Sequence, residues 1–585
     1  MSTGRCRKPG TGLAALLSVA VGANVVAAAP EEQTLRVKHE LLALAQTIGP
    51  PAQKDPEAPP PSVHLLLEAG DWAFSLQFAN RIGDEQSRAN ALVAILGKVT
   101  DLPDREQARA ILGQSAQAAR EIANVDARAR ILAAGAAAAA KTADTGSGRE
   151  LLASALQAAG GTADNRSRAR VLATLAETAG ELGAPAQGRA LLDEALHAAD
   201  DIADDATQVP VLVSLSAASA KLDESAQART LLERAVRIAD KIEDDLARAA
   251  ALDVIAQGAA RLANPAYGRA TLESILATTP KIGADLGKAR VLASVSGAAA
   301  TLRDRTEGRA VLAEVLKAAD TIGGEFTKVR WLLVALVGAS VELGQPAQAR
   351  DLADQALNTA DTVGSDFARI RVLESVAHAA AKLADSAQAQ ALLSRVLEQT
   401  DRIADASLRP RVLIGVAQAA GKLGDPEQGR AVLAGVIAAA DSGRGEAELA
   451  ALFLALAETA AKLADPARAR TLLSRAARET AAIGSEQAQV RAQIALAETA
   501  LRLADRAQAQ ASLEALMAKQ PRTGAPILSD PDLVHAIAVA AALQRWQWAL
   551  SMSDTLHSDS ARLDALSRLF VAASKDQPKD GVRPD

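Results

Sequence analysis

A phrase of forty residues returns along this chain, and its return limits what the chain can fold into. Taking as an anchor the residue before an apolar triplet such as Ala190-Leu191-Leu192, the series runs Arg109, Arg149, Arg189, Arg229, Arg269, Arg309, Arg350, Gln390, Arg430, Arg470 and Gln510. Every step is 40 residues except one of 41, between Arg309 and Arg350. A period of this kind marks a stacked array, because one unit cannot cover its own apolar face and the next must complete it. A length of 585 residues is then no guide to the number of globular domains. The odd residue lies between Arg330 and Leu343, inside an expected helix, and predicts a local bulge there.

Within a copy the apolar residues fall at helical spacing. Leu191, Leu192, Ala195, Leu196, Ala199 and Ile202 make one stripe, and Val171, Leu172, Leu175, Ala176, Ala179 and Leu182 make another. Apolar residues reach 49% while aromatics are only 2%, so the buried faces are built from Ala, Leu, Val and Ile, as suits close helix packing. The junctions carry helix punctuation: Asp425-Pro426, Asp465-Pro466 and Asn264-Pro265 each supply a capping side chain and a proline at the first helical position. The other junction is acidic, as in Asp204-Asp205 and Asp244-Asp245, and these doublets read as caps and solvated loop charges. Each copy is therefore expected to be two antiparallel helices joined by short loops.

The pattern resembles the tetratricopeptide repeat family. Its small residue at the helix crossing corresponds to Ala108, Gly148, Gly188, Ala228, Gly268, Gly308, Ala349, Ala389, Gly429, Ala469 and Ala509. The large apolar residue four positions later is Leu in ten copies, from Leu112 to Leu513, and Ala353 in the other. The resemblance spans roughly residues 62–575 and implies an all-α, right-handed α-α superhelix, a solenoid of about 12 antiparallel helix pairs. The period of 40 against the family's 34, the missing closing proline and the aliphatic residues at its aromatic positions set this chain apart.

The ends differ from the array. Arg5, Arg7 and Lys8 precede an apolar stretch that ends in Ala27-Ala28-Ala29, the layout of a secretory signal over residues 1–29; the alternative is a membrane anchor over residues 12–29. Cleavage would remove the only cysteine, Cys6, and shift the net charge from −6 to −9. A short helical segment is expected at 30–48, detached from the array, then a proline-rich extended linker at 49–62. The repeat array follows at 63–519, a loop at 520–531, a capping helix pair at 532–575 and a disordered tail at 576–585. Trp72, Phe74 and Phe78 lie in the first unit, and Trp546, Trp548 and Phe570 in the last, where bulky rings would seal the exposed ends of a stack or offer an aromatic patch.

No catalytic or metal-binding constellation is visible. The six histidines are not paired at ligand spacing, and no cofactor is expected. The functional signal is a column. Arg130, Arg170, Arg290, Arg330, Arg371, Arg411 and Arg491 share one repeat position, which in the resembled family faces the concave groove. Further along the same face come Glu177, Gln257, His378, Gln418, Glu458 and Glu498, and then Lys141, Lys221, Arg261, Lys382, Lys422, Lys462 and Arg502. A ladder of this composition suits an extended acidic peptide. Alternatively Asp200, Asp240, Asp320, Asp361 and Asp401 neutralise the arginines within each junction, or the charges serve solubility alone. The candidate partner-binding residues are Arg130, Arg170, Arg290, Arg330, Arg371, Arg411, Arg491, His378, Lys382, Gln418 and Lys422.

These features point to an exported, most simply periplasmic, non-enzymatic scaffold that binds a protein or peptide with acidic segments. Nucleic acid is not an expected partner at this net charge, nor is a membrane once residues 1–29 are removed. The alternatives are a regulatory module holding an anionic ligand in its groove and a membrane-tethered cytoplasmic scaffold. Oligomeric state is not readable from the chain.

Overall fold

The computed structural model describes residues 30–50, 57–324, 327, 332–362, 365–383, 385–441, 446–519 and 528–576. The signal-like segment 1–29, residues 520–527 of the loop, residues 577–585 of the tail and Arg330 lie outside them. Among the described residues the chain is all helical, with 28 α-helices and no strand. In order they are α1 (Pro30–Ala45), α2 (Pro61–Glu68), α3 (Trp72–Arg81), α4 (Glu85–Lys98), α5 (Arg105–Arg120), α6 (Val125–Lys141) and α7 (Thr145–Gly160). Then come α8 (Asn165–Glu181), α9 (Pro185–Asp200), α10 (Asp205–Lys221), α11 (Ser225–Ala239), α12 (Asp245–Ala260), α13 (Pro265–Thr278) and α14 (Asp285–Thr301). These are followed by α15 (Arg305–Ala319), α16 (Val334–Glu342), α17 (Pro346–Thr362), α18 (Asp366–Ala380), α19 (Ser386–Thr400), α20 (Arg409–Ala420) and α21 (Pro426–Ala440). The last seven are α22 (Glu446–Lys462), α23 (Pro466–Ala482), α24 (Glu486–Arg502), α25 (Arg506–Lys519), α26 (Asp530–Ala542), α27 (Trp546–Ser553) and α28 (Asp559–Asp576).

These helices stack as consecutive pairs, each packing chiefly on its neighbours along the row until the ends are reached. Even-numbered helices pack on one another all along the row, whereas several neighbouring odd-numbered ones, such as α7 and α9, touch little or not at all. The even row is therefore the inner, shorter side of a curved solenoid and the odd row its outer side. Crossing positions need small residues: a Cβ on Gly308 would lie 2.4 Å from the Ala299 carbonyl oxygen, and one on Gly268 2.8 Å from that of Ala259. The one-residue insertion meets a π-helical turn at Leu332–Leu333, which leads into α16.

Acids at the starts of several inner helices tie one unit to the next. The first acid caps its own helix: Asp244 accepts from the Ala247 N–H at 2.7 Å, and Asp84 from that of Ser87 at 2.8 Å. An acid at the first helical position, whether or not an acid precedes it, reaches across to the loop of the following unit. Asp245 accepts from the Gly283 and Ala284 N–H groups at 2.9 and 3.1 Å, Glu85 from Ala123 and Asn124, Asp285 from Gly324, Asp366 from Asp405 and Glu446 from Gly484. These acids thus satisfy backbone donors in two successive units, a larger role than solvated loop charge.

The two ends of the array meet. α1 and α2 both pack on α28, so the last inner helix receives its outer partner from the start of the chain. The solenoid closes into a ring, with fourteen inner and fourteen outer helices among the described residues. Segment 30–48 is accordingly docked, not detached: the Gly83 and Asp84 N–H groups donate to Ala45 and Ile48 carbonyls, and a Cβ on Gly83 would lie 2.4 Å from the Gln46 oxygen. The terminal aromatics seal the ends against each other, with Phe74 and Phe570 centroids 4.9 Å apart and the Lys38 ammonium 5.1 and 5.3 Å from them. Val37, Leu41 and Ala45 are buried in this seam. Ion pairs from Arg36 to Asp554 and Arg562 to Glu40 rim it at 3.3 and 3.2 Å. Such exposed pairs contribute about 0.2–1 kcal/mol each, whereas truncating a buried Phe costs about 3–5 kcal/mol. Apolar packing therefore holds the seam and the charges fix its register.

Phe570→Ala is expected to loosen the seam by that larger amount, seen as faster amide hydrogen exchange in residues 30–45 and 559–576 and a larger radius of gyration in small-angle scattering. Exchange equal to the parent's at both ends would contradict closure. Gly308→Ala, far from the seam, is expected to lower the melting temperature without changing exchange at residues 30–45, because it forces apart α14 and α15.

Candidate binding face on the inner helices

The arginine column begins one turn or more inside the inner helices, and the structure divides it into unlike parts. Arg130 and Arg170 line a cleft of about 430 Å³ on the inner face that runs from Val93 on α4 to Arg261 after α12. Into its mouth comes the chain's own linker. Arg170 donates to the Glu57 carboxylate, and Asn90 donates to the Ala58 carbonyl at 3.0 Å. Arg130 donates to the Asn90 side-chain oxygen at 2.9 Å, so one network joins α4, α6 and α8 to the linker. Half-burial would raise the Glu57 pKa, but the Arg170 hydrogen bond and the charges of Arg170, Arg130 and Arg166 together hold it below the ordinary 4.5. Burial depresses the Arg130 guanidinium, against the attraction of Glu57.

Elsewhere the column is tied to other inner-row acids. Arg371 and Arg411 both approach Glu374, at 3.4 and 3.5 Å, and Arg491 pairs with Asp532 at 2.9 Å. Arg290 is exposed, with no ion pair among the described residues. Junction neutralisation takes a different form from the one expected: Asp200 pairs with Arg234 and Asp240 with Lys281, outside the column. The loop-stapling arginines sit two residues before the column, where Arg248 and Arg409 donate to the Ile242 and Ile403 carbonyls.

The second line of charges follows a register that sequence inspection missed. A carboxylate on one inner helix takes a cation 44 residues later: Lys221 donates to Glu177, and Arg502 to Glu458 at 2.5 Å. Applied to the intervening units, that offset pairs Lys382 with Gly338, Lys422 with His378 and Lys462 with Gln418, none of which is an acid. The Lys382 ammonium lies over Gly338, where a Cβ would be 2.9 Å from its nitrogen, and the Lys462 stem passes Gly421. His378, Lys382, Gln418, Lys422 and Lys462 are all exposed, and the three lysines have no hydrogen-bond or ion-pair partner among the described residues. The His378 pKa is lowered, first by burial and then by the charges of Lys422 and Lys382. The register itself was legible as Glu177 with Lys221 and Glu458 with Arg502; only the stagger between helices had to come from the fold.

No group of three His, Cys, Asp or Glu among the described residues could hold a metal ion, and no helix there is long and apolar enough to cross a membrane.

No protein-family model and no curated protein matches the sequence. Among solved structures, Ton1535 from Thermococcus onnurineus NA1 is 16% identical over 60% of this chain and 97% of its own, with a TM-score of 0.27. Yeast Tom70 is 14% identical over 79% of this chain and 96% of its own, at 0.25. A circular tandem repeat protein with novel repeat topology is 15% identical over 94% of this chain and 95% of its own, at 0.15. With TM-scores this low, these likenesses carry no function over to the chain.

Glu57 has a depressed pKa in the folded chain, so its contact with Arg170 is fully present above about 4.5 and is lost as pH falls through the lowered value. Limited proteolysis within residues 49–60 is therefore expected to accelerate in acid, and Glu57→Gln to bring the faster rate to neutral pH. The pair is part-exposed and contributes about 0.2–1 kcal/mol, so the change is up to about fivefold. A cleavage rate indifferent to both would detach the linker from the arginines.

Proposed function

We propose that this chain is an exported, non-enzymatic interaction scaffold that holds an acidic polypeptide segment of a partner on the inner face of its helical ring. One observation supports this most directly: the chain's own proline-rich segment lies on that face as a bound peptide would, its Glu57 carboxylate on Arg170 and its Ala58 carbonyl on Asn90. Extended peptides bind grooves through such a division, with backbone hydrogen bonds for affinity and charged side chains for specificity. Arg130, Arg170, Arg290, Arg371 and Arg411, with Lys382 and Lys422, line the inner row at repeating positions and supply the cations.

Export rests on the signal-like layout of residues 1–29. The seam residues Arg36, Val37, Lys38, Glu40, Leu41 and Ala45 all follow Ala29, so a chain cleaved there retains them. The protein purified from its native cells is expected to start at Pro30 by N-terminal sequencing and, after cross-linking, to carry one or a few specific polypeptides whose recovery falls when Arg371 and Arg411 are changed to Glu. Retention of residues 1–29 would favour the tethered alternative. Absence of any cross-linked polypeptide under several conditions would count against the scaffold.

A further inference from the structure

We infer that Lys382, Lys422 and Lys462 form a vacant carboxylate-binding ladder on the inner face, filled by the side-chain acids of an extended partner segment. The inference rests on the scaffold reading and gives that face a defined site and ligand chemistry.

The ring supplies its own reference. Where a unit carries Glu at this inner position and a cation follows 44 residues later, the two close on each other, as Lys221 does on Glu177 and Arg502 on Glu458. Three consecutive units keep the cation and replace the acid with Gly338, His378 and Gln418. The group these lysines lack is therefore a carboxylate, delivered from the inner side. Like charges on adjacent inner helices repel one another, and an incoming polyanion removes that repulsion. A carboxylate segment is favoured over phosphate because carboxylates occupy the equivalent positions within the chain, and because Glu57 of the linker already sits on Arg170 of the same face.

Geometry sets the spacing. Neighbouring packed helices lie about 8–10 Å apart, and an extended chain advances about 3.3 Å per residue. Acids at every third residue of the partner match the ladder.

The test uses residues 30–585 and a fluorescent peptide with glutamate at every third position, followed by anisotropy at low and raised salt. The parent is expected to bind, more weakly at raised salt. The double variant His378→Glu, Gln418→Glu supplies the missing acids internally and is expected to weaken binding about tenfold, the scale of losing two charge-assisted contacts. Its melting temperature should match or exceed the parent's, because it adds ion pairs and disturbs no buried group. Lys422→Glu should weaken binding at least as much, and Lys317→Glu on the outer row should leave it unchanged.

Equal affinity of the parent and the double variant overturns the ladder. So does a parent that binds inorganic polyphosphate and not the peptide. If cross-linking recovers a native partner equally with parent and double variant, the scaffold stands and the ladder falls. If no native partner is recovered but the peptide binds the parent and not the double variant, the ladder stands and the scaffold reading falls.

Discussion

Burial shared between neighbours is the constraint on which this molecule depends. A single helix pair with stripes such as those of α8 and α9 leaves an apolar face in water, and the next pair removes it. A linear stack always leaves two such faces at its ends, which must be capped with polar surface. This chain instead turns them toward each other. α1, from outside the repeat, completes α28, and Phe74 meets Phe570 at the join. Full closure removes the unpaired ends as a closed barrel removes sheet edges. The concentration of aromatics in the end units follows: small aliphatic residues suffice where one regular pair meets the next, but a junction between two irregular units needs larger side chains to fill it.

The hydrogen bonds between units serve the same end. The Asp84-Glu85 and Asp244-Asp245 doublets divide their work, one carboxylate capping its own helix and the other receiving N–H groups from the next loop. A packed helix interface alone tolerates some sliding. Directional bonds at several inner loops fix the rotation between those pairs, and the summed rotation along the row brings residue 36 to residue 554. Loop charge of this kind contributes more to curvature than to solubility.

Much of the fold was legible because the period of 40 and the helical spacing are local facts. The paired helices, their small crossing residues and the site of the inserted residue all follow from counting. Closure was not legible. Val37, Leu41 and Ala45 show an apolar stripe on the first helix, but nothing local says that its partner lies more than five hundred residues away in α28. The column of arginines was readable as a column; much of its neutralisation was not, because Glu374 reaches Arg411 and Asp532 reaches Arg491 across helices while Asp200 and Asp240 turn to Arg234 and Lys281. The linker's place was hidden for the same reason, since a proline-rich stretch predicts extension and says nothing of what it lies against.

A ring changes what recognition can mean for a repeat protein. An open solenoid can bind by adding to an end, and its groove can flex as the stack lengthens or coils. Here both ends are consumed, so specificity falls to side chains presented on the inner helices. Those side chains are not uniform. One sector already holds a segment of the chain itself through Arg170 and Asn90; others satisfy their cations internally through Glu177, Glu458 and Glu374; the three consecutive units of Lys382, Lys422 and Lys462 keep the cations and omit the acids. Because every unit shares one backbone geometry, a change from Glu to Gly, His or Gln at a single repeat position converts an internal ion pair into an open site with the position and direction of its missing partner already set. Repetition supplies the scaffold, and departure from repetition supplies the address.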